Sequence, residues 1–190
     1  MMFDLPLQIA AVLRDYKPSW FVAGGWAIDL FLEKETRLHQ DIEIAIFRKD
    51  QAALHDYLDG WLLRKIVNGE PLTWHRGEWL TLPIHEVHCY NEIAQPPQIE
   101  ILLNESNETD WLYRRNENVR RSLVKIQLES SAGVKFLCPE VVLLYKSKNL
   151  RAKDERDFQA VVKRLDAERK EWLKDAIKVC NSEHRWLRSL

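Results

Sequence analysis

WFVAGGWAIDLFLEKETRLHQDIEIAIF, residues 20–47, packs two apolar segments, a glycine pair and the acid pair Asp41 and Glu43 into 28 residues. Trp20–Ala23 is a short apolar run that reads as a buried strand. Gly24 and Gly25 follow, and residues 26–33 read as a helix with Trp26, Leu30 and Phe31 among its apolar positions. Residues 34–40 are polar and read as a loop. Asp41–Phe47 then alternates, with Ile42, Ile44 and Ile46 on one face and Asp41, Glu43 and Ala45 on the other. A glycine pair between strand and helix lets the backbone turn sharply and approach a ligand with no Cβ in the way. The helix N-terminus behind it presents unpaired N–H groups and partial positive charge, which suits phosphate. By itself such a pair is also an ordinary tight turn. Asp41 and Glu43, two residues apart on a strand, share a face and together suit a hard cation such as Mg²⁺. The same alternation alone also describes a half-exposed strand. The two features within one short segment place a phosphate-holding turn beside a metal-holding strand.

Working outward, Leu5, Ile9, Val12, Leu13 and Tyr16 lie at helical spacing over residues 5–16, and Pro18 ends that helix. Lys49–Leu58 reads as a third helix closed by Gly60. Strands are expected at 61–67, 79–90 and 98–103, and a further β-like section at 111–137 with a hairpin turn at Ser131-Ala132-Gly133. Pro139 suits a helix start, and residues 139–190 are helical in periodicity, with breaks near 149–152 and 181–183. The expected fold is α+β: a mixed sheet with helices packed on it over residues 1–137, then a helical subdomain over residues 138–190.

The 190 residues carry a formal net charge of -1 and are 46% apolar, so a packed core is expected and disorder is not. That charge argues against a mainly electrostatic nucleic-acid binder. No apolar run approaches the ~20 residues that span a bilayer. The N-terminal residues read as an amphipathic helix rather than a signal peptide. Cys89, Cys138 and Cys180 fit neither a disulfide framework nor a metal site, so a cytoplasmic setting is expected.

Ala23-Gly24-Gly25 followed by Asp41-Ile42-Glu43-Ile44 resembles the signature of the nucleotidyltransferase superfamily. Residues 20–29 and Thr36-Arg37-x-His39-x-Asp41-Ile-Glu43-Ile44 resemble the aminoglycoside 2''-adenylyltransferase-like branch. So do Ile99–Glu105, Trp111–Arg115, Pro139–Lys148 and Lys153–Phe158, which together span most of the chain. The resemblance implies transfer of AMP from ATP to a hydroxyl of a small molecule, an aminoglycoside-like antibiotic among the candidates, with Mg²⁺ or Mn²⁺ as cofactor and release of pyrophosphate. It implies Gly24 and Gly25 at the triphosphate and Asp41, Glu43 and Glu100 on metal, Glu100 completing the set or acting as general base. Glu92 and Glu105 are the other candidates for the third acid. Arg37, His39, Lys146 and Lys148 are implied near the nucleotide. Trp111, Arg114 and Arg115 are candidates for acceptor contact, with alternation allowing only one of the two arginines to face the site. Glu43 stands where many members of the superfamily have Asp, which adds one methylene of reach.

Other readings stay open. The acceptor of the same chemistry could be a protein or RNA end, or the chain could be a non-catalytic nucleotide-binding module on the same scaffold. The acids Glu100, Glu105, Glu108, Asp110 and Glu117 suggest a cleft for a polycation, against Arg114 and Arg115. His85 and His88, three apart, read as ordinary polar residues on opposite strand faces. Trp74 and Trp111 are candidates to stack on a base or sugar. Lys153, Asp154 and Asp157 read as ion-pairing residues that fix the C-terminal helices.

Overall fold

A computed structural model of the chain describes residues 3–190. Helix α1 (Asp4–Val12) leads into strand β1 (Trp20–Val22), helix α2 (Gly24–Leu32) and strand β2 (Glu43–Phe47). A short 3₁₀ turn and α3 (Gln51–Tyr57) follow. The next strands are β3 (Leu62–Val67), β4 (Glu70–Thr73), β5 (Glu86–Tyr90) and β6 (Gln98–Ser106). Then come β7 (Asp110–Leu112), β8 (Arg120–Ser122), β9 (Gln127–Glu129) and β10 (Lys135–Leu137). The chain ends in α4 (Pro139–Ser147), α5 (Ala152–Val161), α6 (Ala167–Cys180) and a final 3₁₀ turn.

The strands form a mixed sheet in the order β4-β3-β5-β6-β2-β1-β10-β9, with β7 paired to β6 and β8 to β7. Strand β2 is central: antiparallel to β1 and parallel to β6. Its residues Ile44, Ala45, Ile46 and Phe47 are all buried, so both faces are covered and it is not a solvated outer strand. The α+β expectation holds, and so does the hairpin at 131–133, which joins β9 to β10. Helices α4 and α5 pack against α2, and one continuous core runs from Ile9 and Leu13 through the sheet to Leu173 and Trp186. None of the described helices is long and apolar enough to cross a membrane.

Two expectations need correction. The strand expected at 79–90 begins only at Glu86, and β4 occupies residues 70–73 instead. Residues between β4 and β5 are held by side chains rather than by strand pairing. Gln51 donates to the Leu80 carbonyl and accepts from its N–H, while Arg48 donates to the carbonyls of Leu80 and Ile84. These contacts satisfy backbone groups that a strand would have paired. The C-terminal helical run is also broken at residues 162–166, where Asp166 caps α6 by accepting from the Arg169 N–H at 2.8 Å.

Candidate active site

Glycine is required at position 24 for two reasons. Its φ is +59°, in the left-handed region, and a Cβ placed there would lie 1.5 Å from Oε2 of Glu43. The glycine therefore makes room for the carboxylate, and the Ala23 N–H donates to the Glu43 carbonyl at 2.7 Å to join the turn to the strand. Gly25 serves a different neighbour: a Cβ there would meet the Arg37 and His39 side chains. No side chain caps α2, so its N-terminus keeps the anion-binding character expected of it.

The loop at 34–40 is fixed from below. Asp29 is fully buried; one oxygen accepts from the Thr36 hydroxyl at 2.5 Å and the other lies 2.6 Å from Nε2 of His39. The His39 ring packs on Trp26 at 4.5 Å between centroids, and Trp26 Nε1 donates to the Asp41 carbonyl at 3.1 Å. His39 thus holds the approach to the acidic strand, and its 3% side-chain exposure leaves little surface for a nucleotide. Arg37 reaches Asp157 on α5 at 3.5 Å and likewise ties the loop to the helices.

Asp41 sits in the residues leading into β2, while Glu43 begins the strand and lies directly opposite Glu100 of β6. The three carboxylates are close enough for their charges to act on one another. Burial raises the Glu43 pKa, Asp41 and Glu86 raise it further, and Lys146 and Lys153 oppose them. Glu100 is pushed up to about 7, first by burial and then by the Asp41 charge, with Glu43 and Glu86 adding to it against His88. Like charges gathered in a partly buried place favour either a retained proton or a cation, and all-oxygen donors fit Mg²⁺ or Mn²⁺. Glu105 is excluded as the third acid by its 2.7 Å pair with Arg48, and Glu92 lies exposed in a turn.

A cleft opens between the sheet and the C-terminal helices. Its lining includes Ala23, Gly24, Glu43, Glu86, Arg114, Arg115, Tyr145 and Lys146. Lys146 faces it while held at 3.1 Å from Asp154 and 2.9 Å from Asp157. The expected ion pairing of Asp154 and Asp157 is therefore present, but Lys153 acts on Glu43 instead. Lys148, two residues beyond Lys146, is turned away into a separate depression beside Cys180 and His184.

Further corrections concern the residues expected at the site. Trp111 has no exposed surface: it packs on Tyr113, Tyr145 and Trp172 and donates to Asn104, so it is a core residue rather than an acceptor contact. Trp74 is buried in the same way. Arg114 and Arg115 both line the cleft, because β7 ends at Leu112 and strand alternation no longer applies to them. His85 also lines it, and the ligand atoms of Glu86, His88 and Glu100 all lie within 4.8 Å of one another. The i,i+2 spacing of Glu86 and His88 places both on one strand face, whereas the i,i+3 spacing of His85 and His88 does not reveal it.

The sequence profile of the aminoglycoside-2''-adenylyltransferase family matches residues 6–76, the part that holds the Gly-Gly turn and the Asp41/Glu43 strand. No curated protein matches the sequence significantly. Among solved structures, ANT(2'')-Ia in complex with adenylyl-2''-tobramycin aligns at a TM-score of 0.60 and 16% identity, over 92% of this chain and 95% of that one. A solution structure of the antibiotic-resistance factor ANT(2'')-Ia aligns at 0.59 and 16%, over 94% and 91%. A lincomycin-bound lincosamide antibiotic adenylyltransferase aligns at 0.56 and 17%, over 82% and 92%. The chain has the fold of the nucleotidyltransferases that adenylylate antibiotics, and over residues 6–76 it carries the sequence pattern of the aminoglycoside-2''-adenylyltransferase family.

Proposed function

We propose that the protein is a metal-dependent nucleotidyltransferase that moves AMP from ATP to a hydroxyl of a small molecule and releases pyrophosphate. The observation that carries this reading is the fit of Gly24 around the Glu43 carboxylate, with Glu100 directly opposite on β6 and Asp41 acting on both. Asp41, Glu43 and Glu100 would hold the divalent ion, which supplies activation of the attacking hydroxyl and neutralisation of the pyrophosphate. Ala23 and Gly24 line the cleft at the α2 N-terminus and present backbone to the triphosphate. Lys146 reaches the cleft as a fixed point charge beside Glu43. Glu100, opposite Glu43, would either complete the metal set or take the acceptor proton. Most of the rate enhancement in such a site comes from positioning and charge neutralisation.

The test is calorimetric titration with a non-hydrolysable ATP analogue, with and without Mg²⁺, for wild type and Asp41→Ala. Binding that requires the metal and is lost in the variant supports the reading. A wild type that binds no ATP, GTP, CTP or UTP analogue with either Mg²⁺ or Mn²⁺ refutes it and favours a scaffold without the chemistry.

A further inference from the structure

A second group of ligating side chains lies next to the acids of the cleft. The register of β5 on β6 sets His88 directly opposite Glu100, and Glu86 precedes His88 by two residues on the same face. Nε2 of His88 stands 2.7 Å from Oε1 of Glu86 and 3.8 Å from Oε1 of Glu100. One ligand atom from each of the three residues lies within 4.8 Å of the other two. No other set of three or more His, Cys, Asp or Glu residues among the described residues comes together so closely; Asp41, Glu43 and Glu100 are spread more widely.

The group is short of positive charge. Among the described residues Glu86 and Glu100 form ion-pair contacts with His88 alone, whereas Glu105, Glu140 and Asp154 each have an arginine or lysine. Arg64 of β3 pairs with His88 in register but forms no ion pair with the three. A neutral imidazole has a single N–H to give, so Nε2 of His88 serves one of the two carboxylates at a time. A cation among the three would satisfy both. The spacing suits one: with metal bonds of about 2.1 Å, ligand atoms on a tetrahedral ion stand about 3.4 Å apart, so small side-chain rotations suffice.

The position differs from that of the acid pair. The Glu43 carboxylate lies against Gly24, at the turn that follows β1, where an added Cβ would meet its Oε2. Glu86 and His88 lie on the far side of β6 from β2. Glu100 stands between them, opposite Glu43 on one flank and His88 on the other. The donor sets differ as well. Oxygen donors suit Mg²⁺, while an imidazole with two carboxylates suits a transition ion such as Zn²⁺.

We propose that Glu86, His88 and Glu100 form a second divalent-cation site, selective for a transition ion of the Zn²⁺ type over Mg²⁺, which lies beside the Asp41/Glu43 position and shares Glu100 with it. The site rests on the geometry of β5 and β6 and goes beyond the transferase reading. Three protein ligands leave one position of a four-coordinate Zn²⁺ to water or a substrate group, and Glu86 reaches the cleft where such a group would arrive.

The experiment titrates Zn²⁺ by calorimetry into the nucleotide-free protein in millimolar Mg²⁺. Cys180 is exposed and shares a depression with His184, so a Cys180→Ser parent removes a competing thiolate. His88→Ala, Glu86→Gln and Asp41→Ala are each added to that parent, and circular dichroism first establishes which proteins are folded. The proposal expects one Zn²⁺ per chain in the parent, affinity at least tenfold weaker in His88→Ala and in Glu86→Gln, and affinity within threefold of the parent in Asp41→Ala. Should one of the two ligand variants not fold, the other decides. A parent that binds no Zn²⁺, or ligand variants that bind it as the parent does, overturns the proposal. A tenfold loss in Asp41→Ala assigns the ion to the acid pair and overturns a separate site. Titration of the ATP analogue with Mg²⁺ into the same proteins tests the transferase reading by itself, and its failure leaves the Zn²⁺ result standing.

Discussion

Replacing Gly24 with Ala separates what the turn does for stability from what it does for the site. The new side chain must adopt φ near +59°, a left-handed conformation that costs a non-glycine residue about 1–2 kcal/mol. For a chain of this size that corresponds to a melting temperature lower by about 2–8 °C. The second consequence is geometric. The added Cβ would lie 1.5 Å from Oε2 and 2.5 Å from Cδ of Glu43, while the Cγ at 3.3 Å is only slightly crowded. The carboxylate end must swing aside, which is cheap for folding because it is the tip of a flexible side chain. It is damaging for a metal ligand, since a displacement of about 1 Å in such a site is worth about a hundredfold in rate. Thermal melts should therefore show a modest loss, while calorimetry with the ATP analogue shows Mg²⁺-dependent affinity down by tenfold or more. Combining Gly24→Ala with Glu43→Asp, which draws the carboxylate back by one methylene, should lower the melting temperature by little more than the backbone term beyond Glu43→Asp alone. A folded Gly24→Ala protein that binds nucleotide and Mg²⁺ like the wild type would refute the reasoning, because the close approach would then serve no ligand function.

Two other perturbations address the surroundings of the site. Lys146→Ala strands Asp154 and Asp157, which are 1% and 3% exposed, and should cost about 3 kcal/mol in urea unfolding, moderated by the remaining partners Arg151 and Arg37; an unchanged midpoint would mean the pair is not a structural strut. Glu100 has a folded pKa of about 7, above its ordinary value of 4.5, so the folded metal-free protein holds a proton that the unfolded chain has released. Its contribution to stability is present below the unfolded value and declines as pH rises from about 4.5 through about 7. Melts of the wild type should fall across that window more steeply than those of Glu100→Gln, and identical slopes would place the titration elsewhere.

The alternation of Asp41 and Glu43, the Gly-Gly junction and the helix start at Pro139 were legible because each depends on neighbours a few residues away. Periodicity and backbone permissiveness are local properties. The interiors of the long β-like regions were not legible in the same way. Residues 79–85 fall within a stretch expected as strand, yet Gln51 and Arg48 hold Leu80 and Ile84 in irregular form from another part of the chain. Trp111 and Arg114 show the same divide. An aromatic near the site by sequence is fully buried against Tyr145 and Trp172, whereas both arginines reach the cleft because β7 stops one residue before Tyr113.

Local pattern along the chain is enough for the acid pair, the turn that precedes it and the strand and helix on either side of that turn. Packing and strand register bring Glu100 opposite Glu43, fit Gly24 around the Glu43 carboxylate and carry Arg114 and Arg115 into the cleft. The physical reason is that strand register and ion pairing join residues far apart along the chain. Glu43 with Glu100, and Lys146 with Asp157, become neighbours only when the sheet and helices pack, and no local pattern encodes which of several chemically equivalent partners will be chosen.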